Sequence, residues 1–400
     1  MDFNPFDPAF RQDPYPKYAE LRREAPVYRH PAMGFTAVSR YDGVVHVLMN
    51  PNLFSSKAID LNIDGNPTRT VINTDPPLHT SMRNLVNRAF TPRMVAELEP
   101  RIREITASLL DAVVESGETD LVRDLAIPLP VAIIAGLLGI DDDRHDDFKR
   151  WSTVFIGTAP GEDGERARQD QIFEEARAYF REVIDARRRQ PGSDLISALV
   201  AVSGDDEEHL LGPSDLLAFI ALLLVAGNET TTNLIGNAVL ALLDHPEQLE
   251  MLRRDMSLLP NAVEEALRYE SPVQNLFRTA TEDTEIGGVP VPKDSGVIPI
   301  YASANRDDAK FPDGDRFDIT RNTQGHVAFG HGVHFCLGAP LARLEAKVAL
   351  EQVILRMPGL RREPGRPEWF MHAPFLRGLV TLRLSFAPTA AGAATVPAGG

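Results

Sequence analysis

A single cysteine, Cys336, occurs in 400 residues. It lies in FGHGVHFCLG, residues Phe329 to Gly338, between glycines at 330, 332 and 338 and beside His331 and His334. A thiol so placed can be a small buried hydrophobe, a nucleophile, a zinc ligand or an axial ligand to a larger cofactor. The glycines let the backbone run close to something flat or bulky. A helix expected from Ala339 puts the sulfur at a helix N-terminus, where the amides of Leu337 and Gly338 and the helix dipole favour the thiolate. Thiolate is the form that binds metal.

The four readings need different company. A nucleophile needs a base; His334 is too near in sequence to be placed freely, while a remote histidine among the ten in the chain would serve. Zinc sites gather three or four Cys, His or carboxylate ligands, and this loop has no second cysteine. A phosphate cradle would need the lysine and the serine or threonine of a P-loop. A single thiolate on the iron of a haem, with the loop passing beneath the porphyrin, is the reading these comparisons favour. It predicts partners elsewhere.

Three other constellations are spaced for chemistry. Glu229 and Thr230 sit in AGNETTT, which interrupts a long apolar stretch. Glu265 and Arg268 are three apart in VEEALRYESP and can pair on one helical face. His79 and Arg83, four apart in DPPLHTSMRNLVNRAF, can both reach one carboxylate. Each also has a plainer reading: a polar notch facing solvent, a surface ion pair, a solvated helix face.

The elements that must carry these groups are mostly helices. Apolar residues recur at three-to-four spacing over 78–89, 91–114, 128–138, 143–156, 164–189, 194–202, 246–256, 259–270 and 339–357. Thr91 and Pro92 read as an N-cap and first helical residue, and Gly139 and Gly359 as stops. Ser214 to Asp244 reads as one helix of about 45 Å, apolar nearly all round in its first half, which belongs in the middle of a domain. Its AGNETTT notch is where such a helix is expected to kink and offer backbone or hydroxyl groups to water or ligand. Strand signals cluster in GFTAVSR, in 277–300 and in LVTLRLSF, and point to small antiparallel sheets. The reading is one domain over 1–386, with a disordered tail over 387–400.

Fifty-seven acidic against forty-one basic residues give a net charge of −16, the wrong sign for binding nucleic acid. One cysteine excludes an intrachain disulfide. The acidic, proline-rich N-terminus is unlike a signal peptide, and the eleven-residue apolar run 216–226 is too short to span a bilayer, so a cytoplasmic protein without a membrane segment is expected.

Taken together, the chain resembles the cytochrome P450 superfamily. FGHGVHFCLG matches its haem-ligand signature at every specified position; Glu265 to Arg268 match its E-x-x-R pair and Ala226 to Thr230 its A-G-x-[DE]-T element. FPDGDRFDITR carries an arginine–phenylalanine element, and His79 and Arg83 an H-x-x-x-R. The elements stand in the family's order and are closest to the soluble bacterial members. Gly314 departs from the pattern, standing where proline is common.

The resemblance implies a mainly α fold with small antiparallel sheets, its long central helix over a buried haem b. Cys336 is then the axial iron ligand, with His79, Arg83, Arg278 and His334 on the haem propionates. Glu265, Arg268 and Arg316 form a buried network that fixes the cysteine loop. Thr230 and Glu229 relay the protons that O–O cleavage consumes, while Thr231 and Thr232 are structural. One oxygen atom of O2 enters an apolar organic substrate held by Leu222, Val225, Ala226, Val273, Leu276, Phe277, Phe375 and Leu376. A loop over 57–73 acts as a lid. Electrons come from a ferredoxin and its NAD(P)H-dependent reductase, docking near Arg88, Arg343 and Lys347, and the enzyme is a monomer.

Overall fold

The longest apolar stretch of the sequence becomes the axis of the molecule. The computed structural model describes residues 3–57, 62–63, 66–140, 144, 147–148, 150–151, 163–192, 194–201, 203, 211–371 and 373–392. Within it, Pro213–Asp244 is one helix of 32 residues. Pro213 opens it, and the Asp215 carboxylate accepts the Gly212 N–H at 3.1 Å, fixing the first turn. His245 closes the last turn on the Ala241 carbonyl at 3.1 Å.

By length and apolar composition this helix could cross a bilayer. It is instead wrapped by Pro128–Leu138, Leu259–Tyr269 and Ala339–Arg356, and Leu216, Phe219, Leu224, Leu234 and Ile235 are all buried against them. Each such side chain contributes about 1.5–3 kcal/mol. Pro128–Leu138 comes so close that a Cβ on Gly227 would lie 2.8 Å from Ile134 Cδ1, which is why glycine stands there. That crossing helix stops at Gly139, whose φ of 68° closes the end with bonds to Gly136 and Ala135 through Gly139 and Ile140.

The sheets are small. The largest runs Val27–Arg29, Phe35–Val38, Gly296–Pro299, Arg278–Ala280, Phe54–Ser55 in spatial order. Its pairs are antiparallel except Phe35–Val38 with Gly296–Pro299, which is parallel. Parallel neighbours need a long crossover, and here the central helix and most of its packing partners supply it. A three-stranded antiparallel sheet joins Arg361–Arg362, Arg383–Ser385 and Glu118–Asp120.

Several expectations shift in detail. Thr91 caps as expected, accepting the Met94 N–H at 3.2 Å, but the helix beyond it breaks at Leu98 into Pro92–Glu97 and Glu99–Asp111. Pro100 has no N–H to offer the Ala96 carbonyl. Of the helix expected over 143–156, residues 147, 148, 150 and 151 are helical, and the rest apart from Arg144 lie outside the described residues. The tail is held as far as Gly392: Ala387 and Thr389 donate their N–H to Pro358 and Val114 carbonyls at 2.8 and 3.0 Å, and Gly392 to the Asp111 carboxylate at 2.9 Å. Residues 393–400 lie outside the described residues.

Candidate active site

The cysteine loop folds back on itself through local bonds. The Cys336 N–H donates to the Phe329 carbonyl at 2.9 Å across a turn of 3-10 helix at Gly332–His334. Gly330 and Gly332 have φ of 72° and 70°, the left-handed region, and a Cβ on Gly332 would meet the Leu48 carbonyl at 2.8 Å. Those two glycines are therefore demanded by the turn itself. Gly338 has open space at its Cβ position and an ordinary φ of −78°, so it is the one that leaves clearance beside the sulfur. Burial raises the Cys336 thiol, while the amides of Gly338 and Ala339 and the guanidiniums of Arg83 and Arg343 pull it down. The amides aimed at sulfur are thus one residue further along than Leu337 and Gly338, because the helix starts at Ala339 and its first free N–H groups are the nearest donors.

Around the sulfur gathers a cluster of donors. His79, on helix Leu78–Ala89, is buried, and among the described residues neither ring nitrogen has a hydrogen-bond partner. Its ring lies 4.2 Å from that of His334. Burial first, then Arg83, holds His79 below the usual imidazole range; burial, Arg278 and His79 push His334 down to about 3. His334 meets Ser56 Oγ at 3.0 Å and the Val71 carbonyl at 3.2 Å. Arg278 is buried and gives its guanidinium to the Phe277 carbonyl at 2.8 Å. Four nitrogen-bearing side chains thus converge from three separate segments, the two arginines disfavouring charge on the two histidines. The N–H of a buried, unbonded imidazole beside a guanidinium is a place for an anionic acceptor. A planar group with two carboxylates fits that donor set.

The central helix shows an uncovered stripe of its own. Leu222, Ala226 and Thr230 follow at four-residue intervals with Glu229 beside them; Ala226 is exposed and the others half-buried, in a helix whose other faces are packed. The helix is unbroken through AGNETTT, where Thr230 Oγ1 donates to the Ala226 carbonyl at 2.6 Å. Burial raises Glu229 to about 7, with Asn233 pulling weakly the other way. Thr231 and Thr232 are buried on the opposite side, and Thr232 donates to the Ala126 carbonyl at 2.8 Å. That places Thr230 alone of the three threonines on the open stripe.

Glu265 and Arg268 are fully buried and joined by two bonds of 2.7 and 2.8 Å. Arg268 also donates to the carbonyls of Asn305, Gly314 and Arg316 at 2.7, 2.7 and 3.0 Å. Arg316 therefore enters through its backbone: its guanidinium is 65% exposed, near Asp318. The second cation on Glu265 is Arg321, at 3.4 Å. Arg316 was expected there from its place beside Phe317, but in a loop sequence position does not tell which way a side chain turns. Gly314 is explained as well. A Cβ there would lie 2.4 Å from the Arg306 carbonyl oxygen, and its N–H, which proline lacks, donates to Asp308 at 2.9 Å.

The apolar candidates divide. Val273 bridges Leu376, and Gln274 N–H donates to the Phe375 carbonyl at 2.8 Å, so these two segments form one wall. Phe277 packs into the aromatic cluster of Phe3, Tyr15 and Phe35 and belongs to the core. The side chains of Val225 and Arg88 lie outside those described, as do residues 58–61 and 64–65 of the expected lid. The end of that loop is tied down, Arg69 meeting the Asp215 carboxylate at 2.6 Å. Arg343, expected to be free for docking, grips Glu264 with both guanidinium arms, and His326 meets the same carboxylate at 2.8 Å. Although burial raises Glu264, these partners hold it down to about 2. Among the described residues no three His, Cys, Asp or Glu gather as a metal site.

Comparison with known proteins agrees with this geometry. The family model described as Cytochrome P450 matches residues 137–358. The chain is 42% identical to Cytochrome P450 107B1 of Saccharopolyspora erythraea, over 95% of this chain and 97% of that one. It is 40% identical to the vitamin D(3) 25-hydroxylase of Pseudonocardia autotrophica, over 96% and 97%. It superposes on the structure of Cytochrome P450 CYP109Q5 from Chondromyces apiculatus with a TM-score of 0.89, at 43% identity and covering 98% and 99% of the two chains. Similarity at this level along nearly the whole length, with a lone cysteine at the start of helix Ala339–Arg356, leaves one assignment: the chain belongs to the cytochrome P450 family of monooxygenases.

Proposed function

We propose that the chain binds haem b through Cys336 and inserts one oxygen atom of O2 into a mid-sized apolar organic substrate, by hydroxylation or epoxidation. The observation that carries the reading is the buried, partnerless His79 ring within the cluster of Arg83, Arg278 and His334, a donor set suited to two propionates. Bound there, haem would supply a thiolate-ligated iron of the kind that favours O–O bond cleavage. The chain's own residues then have separate tasks. Gly338 and Ala339 amides and the Arg83 charge favour the thiolate form of Cys336. Glu229, raised to about 7, exchanges a proton near neutral pH and can release it beside Thr230, whose hydroxyl stands on the open stripe. Glu265 and Arg268 hold the 305–316 loop.

Leu222, Ala226, Val273, Leu276, Phe375 and Leu376 would line the substrate space, and an apolar wall of this kind suits a substrate like the one named for the vitamin D(3) relative. Electrons would come from a separate ferredoxin and NAD(P)H-dependent reductase in the cytoplasm, the enzyme acting as a monomer. With Arg343 tied to Glu264, docking there would rest on Lys347 more than on Arg343. The test is optical. Reduced protein with carbon monoxide should show the strongly red-shifted Soret band of thiolate ligation, and Cys336→Ser should lose it; a colourless protein, or a band that survives in Cys336→Ser, refutes the reading. Vitamin D(3) and fatty acids can then be screened for the low-spin to high-spin shift.

A further inference from the structure

The open stripe of the central helix does not end at Thr230. Asn233 and Asn237 follow at three and seven residues, on the same face, and both are buried. The Asn237 amide nitrogen donates to two carbonyls at once, Arg377 at 3.0 Å and Glu270 at 3.2 Å. Its Oδ1 has no partner, so the side chain's bonding is directed wholly at those two residues. Asn233 abuts Gly378: a Cβ on that glycine would lie 1.7 Å from Asn233 Oδ1 and 2.1 Å from its Cγ.

Arg377 and Gly378 directly follow Phe375 and Leu376, which make the apolar wall with Val273. From the outer side the same segment is pinned to the shell of the protein. Arg377 N–H donates to the Pro272 carbonyl at 2.8 Å. The Arg377 guanidinium pairs with Glu270, covers the Trp369 ring at 3.6 Å and donates to the Arg11 carbonyl at 2.8 Å. Glu270 in turn accepts from Tyr15 Oη at 2.7 Å. Arg377 thus ties the wall to the N-terminal segment, whereas Asn237 and the Asn233–Gly378 contact tie it to the helix that carries Thr230. From Thr230 to Asn237 the helix rises about 10.5 Å.

We propose that Asn237 and Gly378 are positioning residues that set how far the Val273–Phe375–Leu376 wall stands from Thr230, and so which part of a substrate reaches the reacting centre. The inference rests on the function proposed above. Neither residue needs to touch substrate; each acts by fixing the register between the wall and the central helix. Gly378 allows the approach, because any larger residue must displace Asn233 or the wall. Asn237 fixes it, because its amide nitrogen holds the Arg377 and Glu270 carbonyls together.

Haem-loaded protein titrated with imidazole and with 4-phenylimidazole, read by the Soret shift, tests this without a known substrate. Imidazole reports access to the iron, and the added phenyl ring also senses the wall. Gly378→Ala and Asn237→Leu are each expected to change the Kd for 4-phenylimidazole by about fivefold or more while that for imidazole stays within about twofold. Adding Asn233→Ala to Gly378→Ala removes the two closest atoms and should return the ratio toward the parent value. An unchanged ratio in a folded Gly378→Ala or Asn237→Leu protein, checked by its melting curve, overturns the proposal, as does failure of Asn233→Ala to repair Gly378→Ala. If Gly378→Ala does not fold, Asn237→Leu alone decides. Parent protein that takes up no haem and gives no shift with imidazole would instead bring down the proposed function, a distinct signature.

Discussion

Arg268→Lys is a test of whether the buried Glu265–Arg268 pair acts as a charge or as a fork. Arg268 makes five hydrogen bonds, two to Glu265 and one each to the carbonyls of Asn305, Gly314 and Arg316. A lysine ammonium has three donors, so at least two of those acceptors lose their partner in a fully buried site. At about 1–3 kcal/mol per unmade buried bond, the cost is about 2–6 kcal/mol, a large part of the 5–15 kcal/mol typical of a folded domain. Arg268→Met goes further: it takes the bidentate partner from the Glu265 carboxylate, worth about 3–5 kcal/mol, and orphans the Asn305 and Gly314 carbonyls, while the Arg316 carbonyl keeps Arg321. Arg321, at 3.4 Å from Glu265, also donates to the Arg316 carbonyl at 3.2 Å, but it makes no bond to the Asn305 or Gly314 carbonyl. The double variant Glu265→Leu/Arg268→Met removes the stranded charge but not the orphaned carbonyls, so its stability should fall between Arg268→Met and the parent. Urea unfolding of the haem-loaded protein, followed by the Soret band and by tryptophan fluorescence, gives all four values. A parent-like midpoint for Arg268→Lys, or a double variant less stable than Arg268→Met, would show that the loop does not depend on this fork.

Glu229 gives a pH prediction with a definite sign. Its folded pKa is raised by burial from 4.5 to about 7, so the folded state keeps a proton the unfolded state has released; stability should fall as pH rises from about 4.5 to about 7, by roughly 2 kcal/mol after discounting for partial exposure, and level off above. Glu229→Gln should flatten that window in urea melts at pH 5 and 8 and remove the alkaline fall of turnover, whereas Asn233→Ala should move the inflection upward. His79→Leu and Arg83→Leu should each speed haem loss to an apomyoglobin acceptor about 10–100-fold, the worth of one charge-assisted bond of roughly 1.5–3 kcal/mol; unaltered transfer rates in both would remove them from the propionate set. Gly314→Pro, which restores the residue common at that place in relatives, should destabilise by about 2 kcal/mol or more, since it deletes the bond to Asp308 and drives a Cβ into the Arg306 carbonyl; a rise in melting temperature would contradict the packing argument.

What could be read from sequence follows the range of the interaction. The pairing of Glu265 with Arg268 was legible because helical periodicity fixes which side chains share a face. Thr91 and Gly139 were legible because capping is local. The third partner of Glu265 was misread because Arg316 and Arg321 lie in irregular chain, where spacing carries no direction. The helix start at Ala339 was read correctly, yet the sulfur's amide donors were misplaced by one residue, because which N–H turns to sulfur depends on the course of the loop before the helix. Gly314 looked like a lapse from a pattern, yet it is required by the Arg306 carbonyl, a contact no local rule foresees. The Asn237 clamp on Arg377 joins residues 140 apart in sequence, and only the folded chain brings them together.

The donor cluster near Cys336 has a charge balance that an anionic ligand would change. A chain with 57 acidic residues and a net charge of −16 has no shortage of carboxylates, yet among the described residues the acid that bears on His79 and His334 is Asp75, and its oxygens are taken by Ser55 Oγ at 2.5 Å and the Ser56 N–H at 2.8 Å. Burial, with Arg83 against His79 and Arg278 against His334, disfavours the charged imidazoles, so the standing positive charges of the cluster are the two guanidiniums. A bound group carrying two carboxylates would pair with them and accept the one N–H of a neutral His79. Such a group, binding the native state alone, would stabilise it. Cys336 stands in the same field: burial raises its thiol, while two amides and two guanidiniums, Arg83 among them, lower it, so Arg83 is shared between the sulfur and any anion the cluster would hold.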